Sequence, residues 1–287
     1  MPREQIRKTY KLYVGGSFPR SESGRSYPVT DASGRFVANA AQASRKDVRD
    51  AVVAARAGFT RWSSATAYNR GQVLYRVAEV MEGRRDQFVA EVASGEGLAR
   101  RQAGALVDES IDRWVWYAGW TDKLAQVHGA ANPVAGPFFN FSVPEPTGVV
   151  GVVAPTRSSL LGLVSVLAPV LATGCSAVVL ASETLPVPAI TLSEVLATSD
   201  VPAGAANVLT GSTAELAPWL ASHADVNAID LTGVEDPALA TELERAAAET
   251  LTRVRRHDPG EDLAAEPGLS RLLGVLEVKT VWHPVGT

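Results

Sequence analysis

The chain has 287 residues, 46% hydrophobic and 20% charged, which is enough to bury a real core in one or two domains and too apolar for disorder. A formal net charge of -4 lacks the clustered positive excess of a nucleic-acid binder, and no window holds about 18 consecutive apolar residues, so neither nucleic acid nor a membrane span is expected. The single cysteine, Cys175, excludes an intrachain disulfide and a multi-cysteine metal site; the opening MPREQIRKTYK lacks the apolar core of a signal peptide, so a cytoplasmic location is expected.

Residues 11–37 carry Gly, Ser and Pro around short apolar pieces, KLYVGG and YPVTDASGRFV, which predicts an N-terminal meander of strands and turns. Ser44 with Asp47 three residues on is a capping-box signature, and Val48, Ala51, Val52, Ala55 and Phe59 then share one helical face. A second helix is predicted from Asn69, with Val73, Val77, Val80, Met81 and Phe88 in the core. The third, from about 100 to 127, bears Trp114, Tyr117 and Trp120 at spacings of three, and such a stripe is ordinarily packing and not a ligand platform.

The stretch FFNFSVPEPTGVVGVVAP, residues 138–155, divides the chain. Residues 149–154 have no polar alternation, which predicts a strand buried on both faces at the centre of a parallel sheet. The run before it ends at Pro144 and Pro146 and reads as an exposed edge strand, open to pairing with another chain. Beyond Pro155, apolar runs at 177–180, 207–210 and 227–231 alternate with helical stretches, the signature of βαβ units. The fold class is therefore α/β, a Rossmann-like doubly wound parallel sheet, with any ligand at the carboxyl ends of its strands. Neither GxGxxG nor GxxxxGK[ST] occurs, so no standard phosphate loop supports a nucleotide. From Thr252 the run RVRRHDPGEDLAAEPG is charged and aperiodic, whereas 274–285 regains strand character in VLEVKTVWHPV.

Together with YKLYVGGSF and AVVAARAGFTRW upstream, FFNFSVPEPTGVVGVVAP resembles the aldehyde dehydrogenase superfamily, densely from about residue 11 to 233. LLGVLEVKTVWHPV is similar to the family's C-terminal arm. The resemblance implies a cofactor domain, a catalytic domain with a nucleophilic Cys, and an oligomerisation element made of the hairpin before the first Rossmann strand plus the arm. Applied here it implies an N-terminal meander and helices at 1–137, the hairpin at 138–148 and a Rossmann-like domain at 149–260. A linker at 261–273 then stands in place of the catalytic domain, and the arm follows at 274–287.

At the functional positions the chain departs from the family. The family's PWNFP turn, whose Asn holds an oxyanion, is here Pro155, Thr156, Arg157, Ser158 and Ser159, with Arg157 in the amide's place; such a donor is worth a few kcal/mol. The LELGG segment that supplies the general base falls on Arg256, His257, Asp258, Pro259 and Gly260, leaving His257 at the acid's place. The nucleophile must be a thiolate, and Cys175, in ATGCSAVVL at the entry to the second strand, is expected to be a buried structural thiol. No catalytic residue and no metal site are assigned. The family's ribose-binding Lys is absent before Ser182 and Glu183, and its phosphate-facing GSTxxG reads Gly233, Val234, Glu235, Asp236, Pro237 and Ala238. Glu183, Thr232 and Gly233 remain as a degenerate cofactor site, for which turn geometry and solvated surface is the favoured reading, so no cofactor is expected and NAD(P) at most weakly.

Three functions follow from this resemblance. One is an inactive structural or regulatory subunit that associates with a catalytic aldehyde dehydrogenase, similar to the half of two-domain family members that keeps the fold without the catalytic Cys. The others are an NAD(P)-dependent oxidoreductase acting on aldehydes, and a sensor of a nucleotide or an aldehyde without turnover. The first accounts for both the losses and the retentions. Its interface is expected at Phe139, Phe141, Val143, Val278, Thr280 and Trp282, pairing by strand addition to a full-length aldehyde dehydrogenase or a second copy.

Overall fold

A computed structural model describes residues 8–286; the first seven residues of the opening segment and Thr287 lie outside the described residues. Three strands come first, β1 (Thr9–Tyr10), β2 (Ser26–Thr30) and β3 (Phe36–Ala41). Their order is β1-β3-β2, with β2 antiparallel to β3 but β1 parallel to it, so the segment is not a simple meander. The chain leaves β1 to reach the main sheet, where Tyr13 and Val208 exchange backbone hydrogen bonds of 2.9 and 2.7 Å.

The capping box is present at the start of α1 (Arg45–Ser64): Ser44 N–H donates to Asp47 Oδ2 at 2.8 Å, and Ser44 Oγ accepts from Asp47 N. Val48, Ala51, Val52 and Ala55 are buried, whereas Phe59 is only partly covered. The helix expected from Asn69 is two helices, α2 (Ala67–Gly83) and α3 (Arg85–Glu96), and Phe88 belongs to the second. Gly83 is a poor helix former, and the chain turns at Arg84. Likewise α4 (Arg100–Ala118) stops before Gly119, and α5 (Leu124–His128) is a separate short turn. Trp114 and Tyr117 are fully buried core residues, whereas Trp120 is half-buried beside Trp116 at 5.6 Å between centroids. Two strands follow, β4 (Ala130–Asn132) and β5 (Phe138–Pro146).

The parallel sheet begins at β6 (Val149–Val153), buried at every residue as its unbroken apolar run predicts. After it come α6 (Leu161–Ala172), β7 (Ser176–Leu180), α7 (Val187–Ala197), β8 (Ala206–Leu209), α8 (Thr213–Ala221), β9 (Ala228–Leu231), α9 (Pro237–Ala248) and β10 (Arg253–Arg256). The order β10-β9-β6-β7-β8 puts β6 in the middle, with every pairing parallel. Helix α6 is buried all round, because the sheet covers one side and α2 and α4 the other. Each of its Leu and Val side chains contributes about 1.5–3 kcal/mol of burial.

The strand β10 falls where the sequence reads as aperiodic charge. Its arginines are paired: Arg255 bonds Glu261 at 2.9 Å, Arg256 bonds Glu244 at 2.9 Å, and Arg253 donates to the Leu276 carbonyl at 2.7 Å. An edge strand can carry such side chains because only one neighbour and one apolar residue, Val254, need satisfying.

After α10 (Ser270–Leu273) comes β11 (Leu276–Pro284), which completes a third sheet of order β11-β5-β4. Here the expectation of an exposed edge at 138–146 is corrected: β5 is the central strand, paired with the arm of its own chain along its whole length and with β4 at 140–142. The hairpin accordingly begins at β4, before residue 138. Thr147 N–H donates to Val275 C=O, and Val285 N–H to Pro137 C=O, so odd-numbered residues of β5 turn their backbone groups toward β11. The even-numbered Pro144 and Pro146 then face the open side beyond the end of β4, where no donor is needed.

The same alternation divides the six residues named for the interface. Phe139, Phe141 and Val143 lie on one face; Val278, Thr280 and Trp282, opposite Pro144, Ser142 and Asn140, lie on the other. Among the described residues no helix is long and apolar enough to cross a membrane.

Candidate functional site

Three turns meet at the carboxyl ends of β6, β9 and β10, and they enclose a pocket of about 130 Å3. Pro155, Arg157 and Ser158 come from the turn after β6, Thr232 and Glu235 follow β9, and His257, Asp258 and Glu261 follow β10. The tertiary structure therefore brings together Arg157, Thr232 and His257, three positions far apart in the sequence.

Each is held differently. The Arg157 side chain is exposed. His257 is half-buried, and its Nδ1 lies 2.7 Å from the Thr232 carbonyl; a carbonyl only accepts, so Nδ1 carries a proton. Thr232 is itself fixed, its N–H donating to Asp230 Oδ1 at 2.8 Å and its hydroxyl bonded to the same oxygen. Gly233 passes so near the end of β6 that a side chain would run into the Ala154 carbonyl, and its N–H donates to Val153 C=O at 2.9 Å. Close strand packing explains that glycine.

Glu183 lies apart from this pocket. Its Oε2 accepts the Thr213 N–H at 3.1 Å, satisfying a free donor at the start of α8. In the turn after β6, Ser159 is buried, and Glu96 Oε1 accepts from both its N–H and its hydroxyl, at 2.8 and 2.6 Å.

A charged network that the sequence reading passed over frames one side of the pocket. Arg271 of α10 is buried, and it donates to Asp230 at 2.7 Å, to Glu261 at 3.1 and 2.6 Å and to Thr232 Oγ1 at 3.2 Å. Arg113 of α4, also buried, reaches the same segment through the carbonyls of Leu263 and Ala265 and bonds Ser165 Oγ at 2.7 Å. The segment expected as a plain linker at 261–273 is thus fastened across the end of the sheet. One signal was available: Asp230 is a lone acid in the apolar strand AIDL, and a buried carboxylate requires a cationic partner.

Cys175 sits at the opposite end. It is wholly buried just before β7, its Sγ donates to the Val275 carbonyl at 3.3 Å, and burial pushes the thiol pKa up. Five residues of β7 separate it from the carboxyl-end level, roughly 16 Å of strand. A neutral, enclosed thiol is a poor nucleophile.

The aldehyde dehydrogenase family model matches residues 18–262, most of the chain. This protein belongs to the aldehyde dehydrogenase family. It is 30% identical over 254 residues to the putative aldehyde dehydrogenase DhaS of Bacillus subtilis, covering 87% of this chain and 50% of that protein. To retinal dehydrogenase 2 of mouse it is 31% identical over 237 residues, 81% of this chain and 45% of that one. Among solved structures, the NAD-dependent aldehyde dehydrogenase from Sinorhizobium meliloti superposes with a TM-score of 0.80 at 25% identity, over 87% of this chain and 50% of the other. This aldehyde dehydrogenase homologue thus spans about half the length of the relatives it matches, and the shared half contains the Rossmann-like parallel sheet.

Proposed function

We propose that this aldehyde dehydrogenase homologue is a structural or regulatory subunit without its own aldehyde chemistry, and that it associates with a catalytically complete family member. The observation that carries the reading is the separation just described: the pocket holds Arg157 and His257, while the single thiol is buried at the other end of β7. Among the described residues His257 has no thiol or hydroxyl nucleophile bonded to it. The purified chain is expected to oxidise no aldehyde with NAD or NADP above a blank. Turnover that disappears in Cys175→Ser overturns this.

The residues around the pocket fit a nicotinamide dinucleotide poorly. Glu235 and Asp258 line the pocket, where acids repel a pyrophosphate, Glu183 is engaged by α8, and the volume of about 130 Å3 is well below the ~300–1,000 Å3 of cofactor-sized clefts. Isothermal titration is expected to show no micromolar NAD affinity; a Kd near 1 μM, about -8 kcal/mol, contradicts it.

Association is supported by the third sheet. The outer edge of β11 pairs with no strand among the described residues, and Trp282, Val278 and Phe139 are each more than half exposed. Unpaired edges and large exposed apolar side chains mark sites of strand addition. Thr280 faces Ser142 in a pair that makes no backbone bonds, so its N–H points outward to the free edge. Thr280→Pro therefore removes a donor that another subunit would use and leaves the β5–β11 ladder intact. Light scattering after size exclusion is expected to show wild-type assembly, alone or with a complete aldehyde dehydrogenase, and loss of it in Thr280→Pro. A wild-type monomer under both conditions, or a variant that assembles equally well, defeats the proposal.

A further inference from the structure

An open groove of about 270 Å3 runs between α2 and the end of α4. Tyr68, Gln72 and Tyr75 share one face of α2, since positions four and seven residues on return to the same side of a helix. Val115 and Gly119 stand opposite, with Asp122 in the turn that follows α4. The floor is Gly71, where a side chain would run into Thr121 Oγ1 and the Ala118 carbonyl. The two helices touch there, and the aromatic side chains stand above the contact as walls.

Both rings face outward: Tyr68 is 65% and Tyr75 49% exposed, and Val115 beside them is exposed as well. Neither phenol hydroxyl nor the Gln72 amide has a hydrogen-bond partner among the described residues. The backbone acceptors of the turn, by contrast, are taken, Ala118 C=O by the Thr121 hydroxyl and Gly119 C=O by Lys123 Nζ. The groove therefore offers apolar ridges and spare donors. Its available charge is negative. Asp122 meets Lys123 only at 3.9 Å with both side chains exposed, and Asp112, one turn before Val115, has no ion pair among the described residues. Arg76, next to Tyr75, is bonded to Glu79.

We propose that this groove docks a proline-rich segment of another protein in the polyproline II conformation, with a basic residue at the end that meets Asp122. Tyr68 and Tyr75 are about 10.5 Å apart along the helix axis, and one turn of polyproline II advances about 9.3 Å, so prolines one turn apart fall beside the two rings. Each proline lacks an N–H and presents only its carbonyl, which suits a surface with spare donors. Because that helix is preformed, it loses little entropy on docking, and a shallow groove suffices. Strand addition at β11 has the opposite requirement, since it needs backbone N–H groups that prolines lack. The assignment is thus independent of the association proposed above and of whether the chain is catalytic.

The test is fluorescence anisotropy of a labelled oligoproline peptide ending in arginine, titrated with the full chain. A glycine–serine peptide with the same arginine is the flexible control, and wild type is expected to bind the oligoproline at least about tenfold more tightly. Tyr68→Ala and Tyr75→Ala each remove one wall and are expected to weaken binding by about tenfold. Both positions are on the surface, so circular dichroism and thermal melting are expected to be unchanged. Asp122→Lys is expected to weaken the arginine-ended peptide and to strengthen one ending in glutamate. The proposal is overturned by absent binding at millimolar concentration, by equal affinity for the glycine–serine control, or by unaltered affinity in both tyrosine variants. It is overturned too if Asp122→Lys leaves both peptides unchanged, or if light scattering shows that the tyrosines serve self-association, which assigns the groove to a second copy.

Discussion

Arg271→Ala is expected to remove about 3–5 kcal/mol of folding stability, the usual cost of stripping one partner from a buried ion pair. Asp230 is left in the parallel sheet without its cation, and Glu261 keeps only Arg255. Domains of this kind have about 5–15 kcal/mol in total, so the loss is a large share of it. The charge alone is not sufficient: the guanidinium makes four bonds in a fixed fork, which a lysine cannot reproduce, so Arg271→Lys is expected to fall between wild type and alanine. The exposed pair Arg85–Asp108 gives the contrast, since removing a partner there is expected to cost about 0–1 kcal/mol and to depend on salt. Urea unfolding in low and high salt measures all three. Limited proteolysis should also find new cleavage within 258–268 in Arg271→Ala, because that segment is fastened by Arg271 from one end and by Arg113 from α4. A loss below about 1 kcal/mol contradicts the account.

Trp62→Ala is expected to cost a similar amount, about 3–5 kcal/mol. Trp62 sits in the last turn of α1, is 1% exposed and packs in the larger core, while its Nε1–H donates to the Leu171 carbonyl of α6 at 2.9 Å. It therefore ties the N-terminal helices to the parallel sheet. Packing and hydrogen bonding can be separated with Trp62→Phe. The Leu171 carbonyl also accepts the Gly174 N–H at 3.0 Å, so losing the indole donor leaves no orphaned acceptor. The bond itself is then worth only about 0.5–1.5 kcal/mol, and most of the alanine effect is the cavity. A phenylalanine variant as unstable as the alanine one shows that the bond, and not the packing, joins the two parts.

The features legible in the sequence are those set by local periodicity. The unbroken apolar run at β6 announced a strand buried on both faces, and Ser44 with Asp47 announced the start of α1, because burial pattern and capping act over a few neighbouring residues. Alternation of apolar runs with helical stretches carried the α/β class, and motif resemblance added the family and singled out Arg157, Thr232 and His257, which the fold places around one pocket. What the sequence could not decide were pairings between distant segments. RVRR reads as surface until Glu261, Glu244 and β9 are placed beside it, and only then is it a strand. Pro144 and Pro146 mark an edge by rule, yet β5 is central, because a three-residue partner covers only part of one side. Glu183 matches a cofactor motif but spends its carboxylate on the start of α8. Periodicity and caps are written into consecutive residues, whereas the direction of a backbone N–H and the neutralisation of Asp230 by Arg271, 41 positions away, exist only once the chain has closed on itself.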